Sequence, residues 1–70
     1  SVECEAVGLV VGKLYLVKYN KEWEIAMFTG FQNGRGYGVD WRWSVWLGPD
    51  GVFHIPASET FLTYRELPDV

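Results

Sequence analysis

Seventy residues make one domain, and a chain this short buries only roughly 60% of the surface its unfolded form exposes, so the four Trp, four Tyr and four Phe are its means of building a core from few side chains. Nine acidic and six basic residues give a net charge of -3, too little positive charge for strong phosphate neutralisation and too little carboxylate for a DNA mimic. The single cysteine, Cys4, excludes an intrachain disulfide and a thiolate metal cluster and fits a reducing compartment.

No apolar stretch approaches the ~20 residues of a membrane helix, and no basic region leads into an apolar one at the N-terminus. A cytoplasmic protein without a membrane partner is expected. The chain opens on Ser1 rather than an initiator Met.

In chain order, Val2, Cys4 and Ala6 alternate with Glu3 and Glu5, which predicts a short first strand or an ordered arm leading into Gly8. Leu14, Leu16 and Lys18 then alternate with Tyr15, Val17 and Tyr19, the pattern of a strand with little exposed area. Asn20-Lys21-Glu22 supplies turn chemistry. From Trp23 to Gly30 the alternation resumes, with Trp23, Ile25, Met27 and Thr29 opposite Glu24, Ala26 and Phe28. The short connection predicts an antiparallel hairpin.

Phe31-Gln32-Asn33-Gly34-Arg35-Gly36 contains an Asn-Gly step and loose glycines, and reads as an exposed hairpin loop. Tyr37 to Trp46 is the strongest strand signal in the chain. Val39, Trp41, Trp43 and Val45 fall on one face, which predicts the core; Asp40, Arg42, Ser44 and Trp46 fall on the other. Leu47-Gly48-Pro49-Asp50-Gly51 is a turn. Val52 to Ile55 resumes as a strand, Pro56 ends it, and Ala57 to Thr60 is long enough for one 3₁₀ turn. A last strand spans Phe61 to Arg65. The fold class expected over residues 1–70 is therefore a single all-β domain, a small SH3-like barrel or a strongly curled five- to six-stranded antiparallel meander, because curling or closure protects strand edges.

Chemistry-bearing residues are sparse. His54 is the sole histidine, without a second imidazole to orient it or to share a metal. Asp40 and Asp50 offer a formal acid and base pair but read as a strand's polar face and a turn residue. Gly34-Arg35-Gly36-Tyr37-Gly38 has the glycine count of a phosphate-cradling loop, yet runs into an aromatic strand where a helix N-terminus is needed. No motif surrounds Ser44 or Ser58. No enzyme, cofactor or metal is expected.

Binding is the remaining class. Trp46, on the polar face of its strand, is the expected exposed aromatic anchor, with Arg42, Arg35, Tyr37 and His54 completing a candidate interface for a protein partner. The same aromatic and Arg set is also a stacking platform for single-stranded nucleic acid, an alternative that the net charge disfavours. An aromatic-rich chain of this length also invites self-association into a homo-oligomer.

Two resemblances accompany these readings. Tyr15-Leu16-Val17-Lys18-Tyr19 with Glu22-Trp23-Glu24-Ile25-Ala26-Met27-Phe28-Thr29-Gly30, and the tail Phe61-Leu62-Thr63-Tyr64-Arg65-Glu66-Leu67-Pro68, resemble small uncharacterised phage and prophage proteins of the DUF551 type. Tyr64 and Thr63 stand where that family carries Trp and His. The resemblance covers about a third of the chain and implies an accessory or host-modulating protein of a mobile element, with no functional residue to transfer. Gly36-Tyr37-Gly38-Val39 and Val52-Phe53-His54-Ile55-Pro56 resemble SH3-like barrels, including type II dihydrofolate reductases. Those reductases carry Gln and Tyr where Phe53 and Ile55 stand, so the resemblance implies the barrel and leaves an oxidoreductase as a second alternative without its catalytic face.

Overall fold

A computed structural model describes residues 8–68, and the expected strand over Val2–Ala6 lies outside them. The chain is all-β: β1 (Leu14–Tyr19), β2 (Glu22–Gly36), β3 (Val39–Gly48), β4 (Gly51–Pro56) and β5 (Tyr64–Glu66). They form one antiparallel sheet in the order β4-β3-β2-β1-β5. The hydrogen-bonded ladder does not close, but the sheet curls so far that Tyr19 of β1 stacks on Phe53 of β4 at 4.4 Å, across the two strands between them. After β4, Ser58 O accepts from Phe61 N–H at 3.1 Å and from Leu62 N–H at 2.8 Å. This single turn carries the chain across to β5 and drops Leu62 into the core.

One hairpin turn is as expected and one is not. Asn20 and Lys21 both have positive φ, 52° and 67°, the two-residue turn whose twist matches the flanking strands. The segment 31–36, expected as a loop, is strand instead. β2 runs on to Gly36, and the turn is Tyr37-Gly38, with φ 53° and 78°.

The core lies inside the curl. Tyr15, Val17, Ala26, Phe28, Trp46, Ile55 and Leu62 form it, and the ladder register dictates which face each strand contributes. Tyr15 pairs with Ala26 and Phe28 with Trp46, so the even-numbered positions of β3 point inward. Trp46 is fully buried, against Phe28 at 5.2 Å and edge-on to Tyr15 at 6.0 Å. A bulge between Phe28 and Gly30 shifts the parity of β2 by one, so that Phe31 follows Phe28 onto the inner face, 5.1 Å away. Two expectations are thereby corrected. Trp46 is the centre of the core and not an exposed anchor, and Val39, Trp41, Trp43 and Val45 lie on the outer face of the sheet.

Candidate functional site

β3 presents five consecutive alternate residues outward, Val39, Trp41, Trp43, Val45 and Leu47, and none of them is polar. The neighbouring strands extend this row. Leu47 faces Val52 of β4 on one side and Met27 of β2 on the other, and Met27 faces Leu14 of β1. One turn of the pleat away, Ile25 faces Leu16, and Trp23 faces Lys18. Leu14, Trp23, Ile25, Val39, Leu47 and Val52 are each between 40% and 62% exposed. Scattered exposed leucines are ordinary on protein surfaces, whereas a contiguous apolar face across four strands is uncommon on a single folded chain. Its rim is cationic on the β1–β5 side: Lys18 lies beside Trp23, and the Arg65 guanidinium sits 4.9 Å from the Trp23 ring.

The hairpin formed by the second half of β2 and the first half of β3 projects from the core. Its two outward indoles lie across glycines of the facing strand. A Cβ on Gly36 would stand 2.9 Å from Trp43 Cζ2, and one on Gly34 would stand 3.3 Å from Trp43 Nε1. Trp41 Nε1 donates to Gly36 O at 2.7 Å and Trp43 Nε1 donates to Gly34 O at 3.2 Å. Glycine at these two positions is thus the condition for seating the rings. Phe61 meets Trp41 edge-on at 5.7 Å and His54 meets Trp43 at 6.3 Å, so both indoles are half-buried by neighbours while their outer surfaces face solvent.

The five residues expected to form one interface are not all on one face, although Arg35 and Arg42 are neighbours. Trp46 is in the core. Arg42 and Arg35 lie on the inner-side face of the hairpin: Arg42 Nη1 donates to Asn33 Oδ1 at 3.2 Å with its guanidinium 5.0 Å from the Phe31 ring, and Arg35 is bonded to Gly38 O and lies 3.8 Å from Asp40. Tyr37 stands at the hairpin tip, 92% exposed. His54 is on the opposite, outer face, where it pairs with Val45. A combined platform of arginines and stacked indoles is therefore split between two faces. Asp40 and Asp50 are at opposite ends of β3, and among the described residues no group of three His, Cys, Asp or Glu side chains is placed to hold a metal ion. No described helix is long and apolar enough to cross a membrane.

Leu14, Trp23, Ile25, Leu47 and Val52 were not expected at the site. The signal for them is in the sequence: β1 and the first half of β2 are apolar on both parities, and a single curled sheet has one inside. No protein-family model, curated protein or solved structure matches this chain.

Proposed function

We propose that this chain is a small protein-binding module whose contact surface is the outer face of its sheet. The observation that carries this is the outward direction of the apolar side of β3, continuous with Val52, Met27, Ile25 and Leu14 across the register. Water-exposed apolar side chains in adjacent rows gain free energy when a partner covers them, and the convex outer face can be covered by an apolar segment or helix of another protein. The rim of Lys18 and Arg65 favours a partner with carboxylates beside its apolar stripe. The nucleic-acid reading loses its platform, because Arg35 and Arg42 are on the face away from Trp41 and Trp43 and are engaged within the hairpin.

The test is affinity capture with the double variant Ile25→Asp, Leu47→Asp. Both side chains point outward, so the thermal transition should stay close to that of the parent, while a partner captured by the parent is lost. Undiminished capture by the variant would remove the outer face as the binding surface. A titration with single-stranded oligonucleotide at low salt, followed by Trp fluorescence, should show no response.

A further inference from the structure

We infer that the chain self-associates through the edge of β2 that no described strand covers, two copies pairing antiparallel about Asn33. β1 pairs with β2 only as far as Met27, and the last backbone bonds on that side are made at Phe28. From residue 29 to residue 36, β2 has β3 as its one partner strand among the described residues. The direction of each free group follows from the hairpin. Gly36 and Val39 flank a two-residue turn and form a hydrogen-bonded pair. Alternation then makes Gly34–Trp41 and Gln32–Trp43 hydrogen-bonded pairs too. The intervening residues Phe31, Asn33 and Arg35 point their N–H and C=O groups away from β3, to a side where no described strand lies. A row of this length with no described partner strand is a template for another strand.

The sequence of the edge favours a second copy as its occupant. Pairing about Asn33 sets Asn33 opposite Asn33 of the second copy, Phe31 opposite its Arg35, and Gln32 opposite its Gly34. The backbone bonds fall in three hydrogen-bonded pairs, Phe31 with Arg35, Asn33 with Asn33 and Arg35 with Phe31. Each Phe31 ring then faces a guanidinium, a favourable cross-strand pair, and each Asn33 side-chain amide faces its twin. Each Arg35 lies 3.8 Å from Asp40 of its own chain, which offsets its charge beside the Arg42 guanidinium already 5.0 Å from the Phe31 ring. Residues 30–36 contain no Lys and no Pro, two of the residues that commonly block an edge. The other edges are poorer templates, because β4 ends in Pro56 and β5 spans three residues. The joined ladder is a six-stranded sheet through both molecules, β4-β3-β2 against β2-β3-β4. It leaves the outer apolar faces uncovered, so this inference stands independently of the proposed function.

Sedimentation equilibrium over a concentration series tests it. The parent chain should dimerise reversibly, with a dissociation constant in about the micromolar to millimolar range. Asn33→Pro removes an N–H that points outward and spares the β2–β3 ladder, a position where an edge strand accepts proline; it should weaken association at least about tenfold, since each dimer loses two backbone bonds. Ile25→Asp, Leu47→Asp should dimerise like the parent. In the parent, amide exchange at Phe31, Asn33 and Arg35 should slow as concentration rises, while exchange at Val52 and His54 does not, a readout that does not depend on the proline variant folding. A parent that stays monomeric at about millimolar concentration, or a dimer that is lost in the outer-face variant and retained in Asn33→Pro, overturns the inference. Concentration-independent exchange at Phe31, Asn33 and Arg35 overturns it as well.

Discussion

Trp46 Nε1 donates to Ser44 Oγ at 2.8 Å, and Ser44 Oγ donates to Ile55 O at 2.8 Å. The two side chains lie two residues apart on the inner face of β3, both fully buried, and the hydroxyl relays the indole's hydrogen bond to the neighbouring strand. A buried indole is stable only when its N–H is met. Ser44→Ala should therefore cost about 1–3 kcal/mol, the penalty for an unsatisfied buried donor. In a Trp46→Phe background, where that donor is gone, the same change should cost clearly less; urea unfolding of the four chains measures the difference, and equal costs in both backgrounds would show that Ser44 acts through Ile55 and packing, independently of the indole. Neither residue's role was legible from β3 by itself. The strand offers one parity of five apolar residues and another holding Asp40, Arg42, Ser44 and Trp46, and taken alone the first looks like the core. The inner face is chosen by the neighbours, through the pairings Tyr15–Ala26 and Phe28–Trp46, and long-range register is not written in one strand's alternation.

At the scale of the element, the β2–β3 hairpin shows how two turn signals compete. Asn33-Gly34 is the stronger local signal, yet it lies within β2, where Gly34 and Gly36 accept the rings of Trp41 and Trp43. The turn falls instead on Tyr37-Gly38, which forces a tyrosine to a positive φ of 53°. Left-handed backbone costs a residue with a bulky side chain roughly 1–2 kcal/mol, and Asn bears it more easily. Tyr37 is almost wholly exposed, so little contact energy offsets that strain. Tyr37→Asn should stabilise the protein by about 0.5–1 kcal/mol through the turn geometry, read as a higher urea midpoint with unchanged slope. A lower midpoint would mean that the tyrosine ring has packing partners outweighing the strain. β1 and β4 were legible because their turns are short and unambiguous, Asn20-Lys21, Pro49-Asp50 and the break at Pro56 falling where local chemistry puts them, whereas the last strand, expected over Phe61–Arg65, is Tyr64–Glu66 because Phe61 and Leu62 close the turn onto Ser58 O.

Across the whole molecule, the described chain is elongated, 41 × 25 × 21 Å, and its stability is unevenly placed. The curled half gathers the buried residues of β1, the first half of β2, the second half of β3, β4 and Leu62 around Trp46. Among the described residues, the projecting half of the hairpin is held by its two-stranded ladder, the cover of Trp41 and Trp43 over glycines, the edge contacts of Phe61 and His54, and the Ala57 N–H bond to Arg42 O. A two-stranded ribbon is marginal on its own, so opening of the hairpin should precede unfolding of the curled half. Native-state hydrogen exchange at dilution, where any dimer is dissociated, separates the two. Amides of Val17 and Ala26, which close the β1–β2 ladder inside the core region, should exchange only through global unfolding. Those of Gly34 and Trp41, which close the distal ladder, should exchange at least about tenfold faster through local opening. Equal protection at all four amides would mean that hairpin and core open as one unit, with the stacked indoles, rather than the inner core, carrying the cooperativity of the distal half.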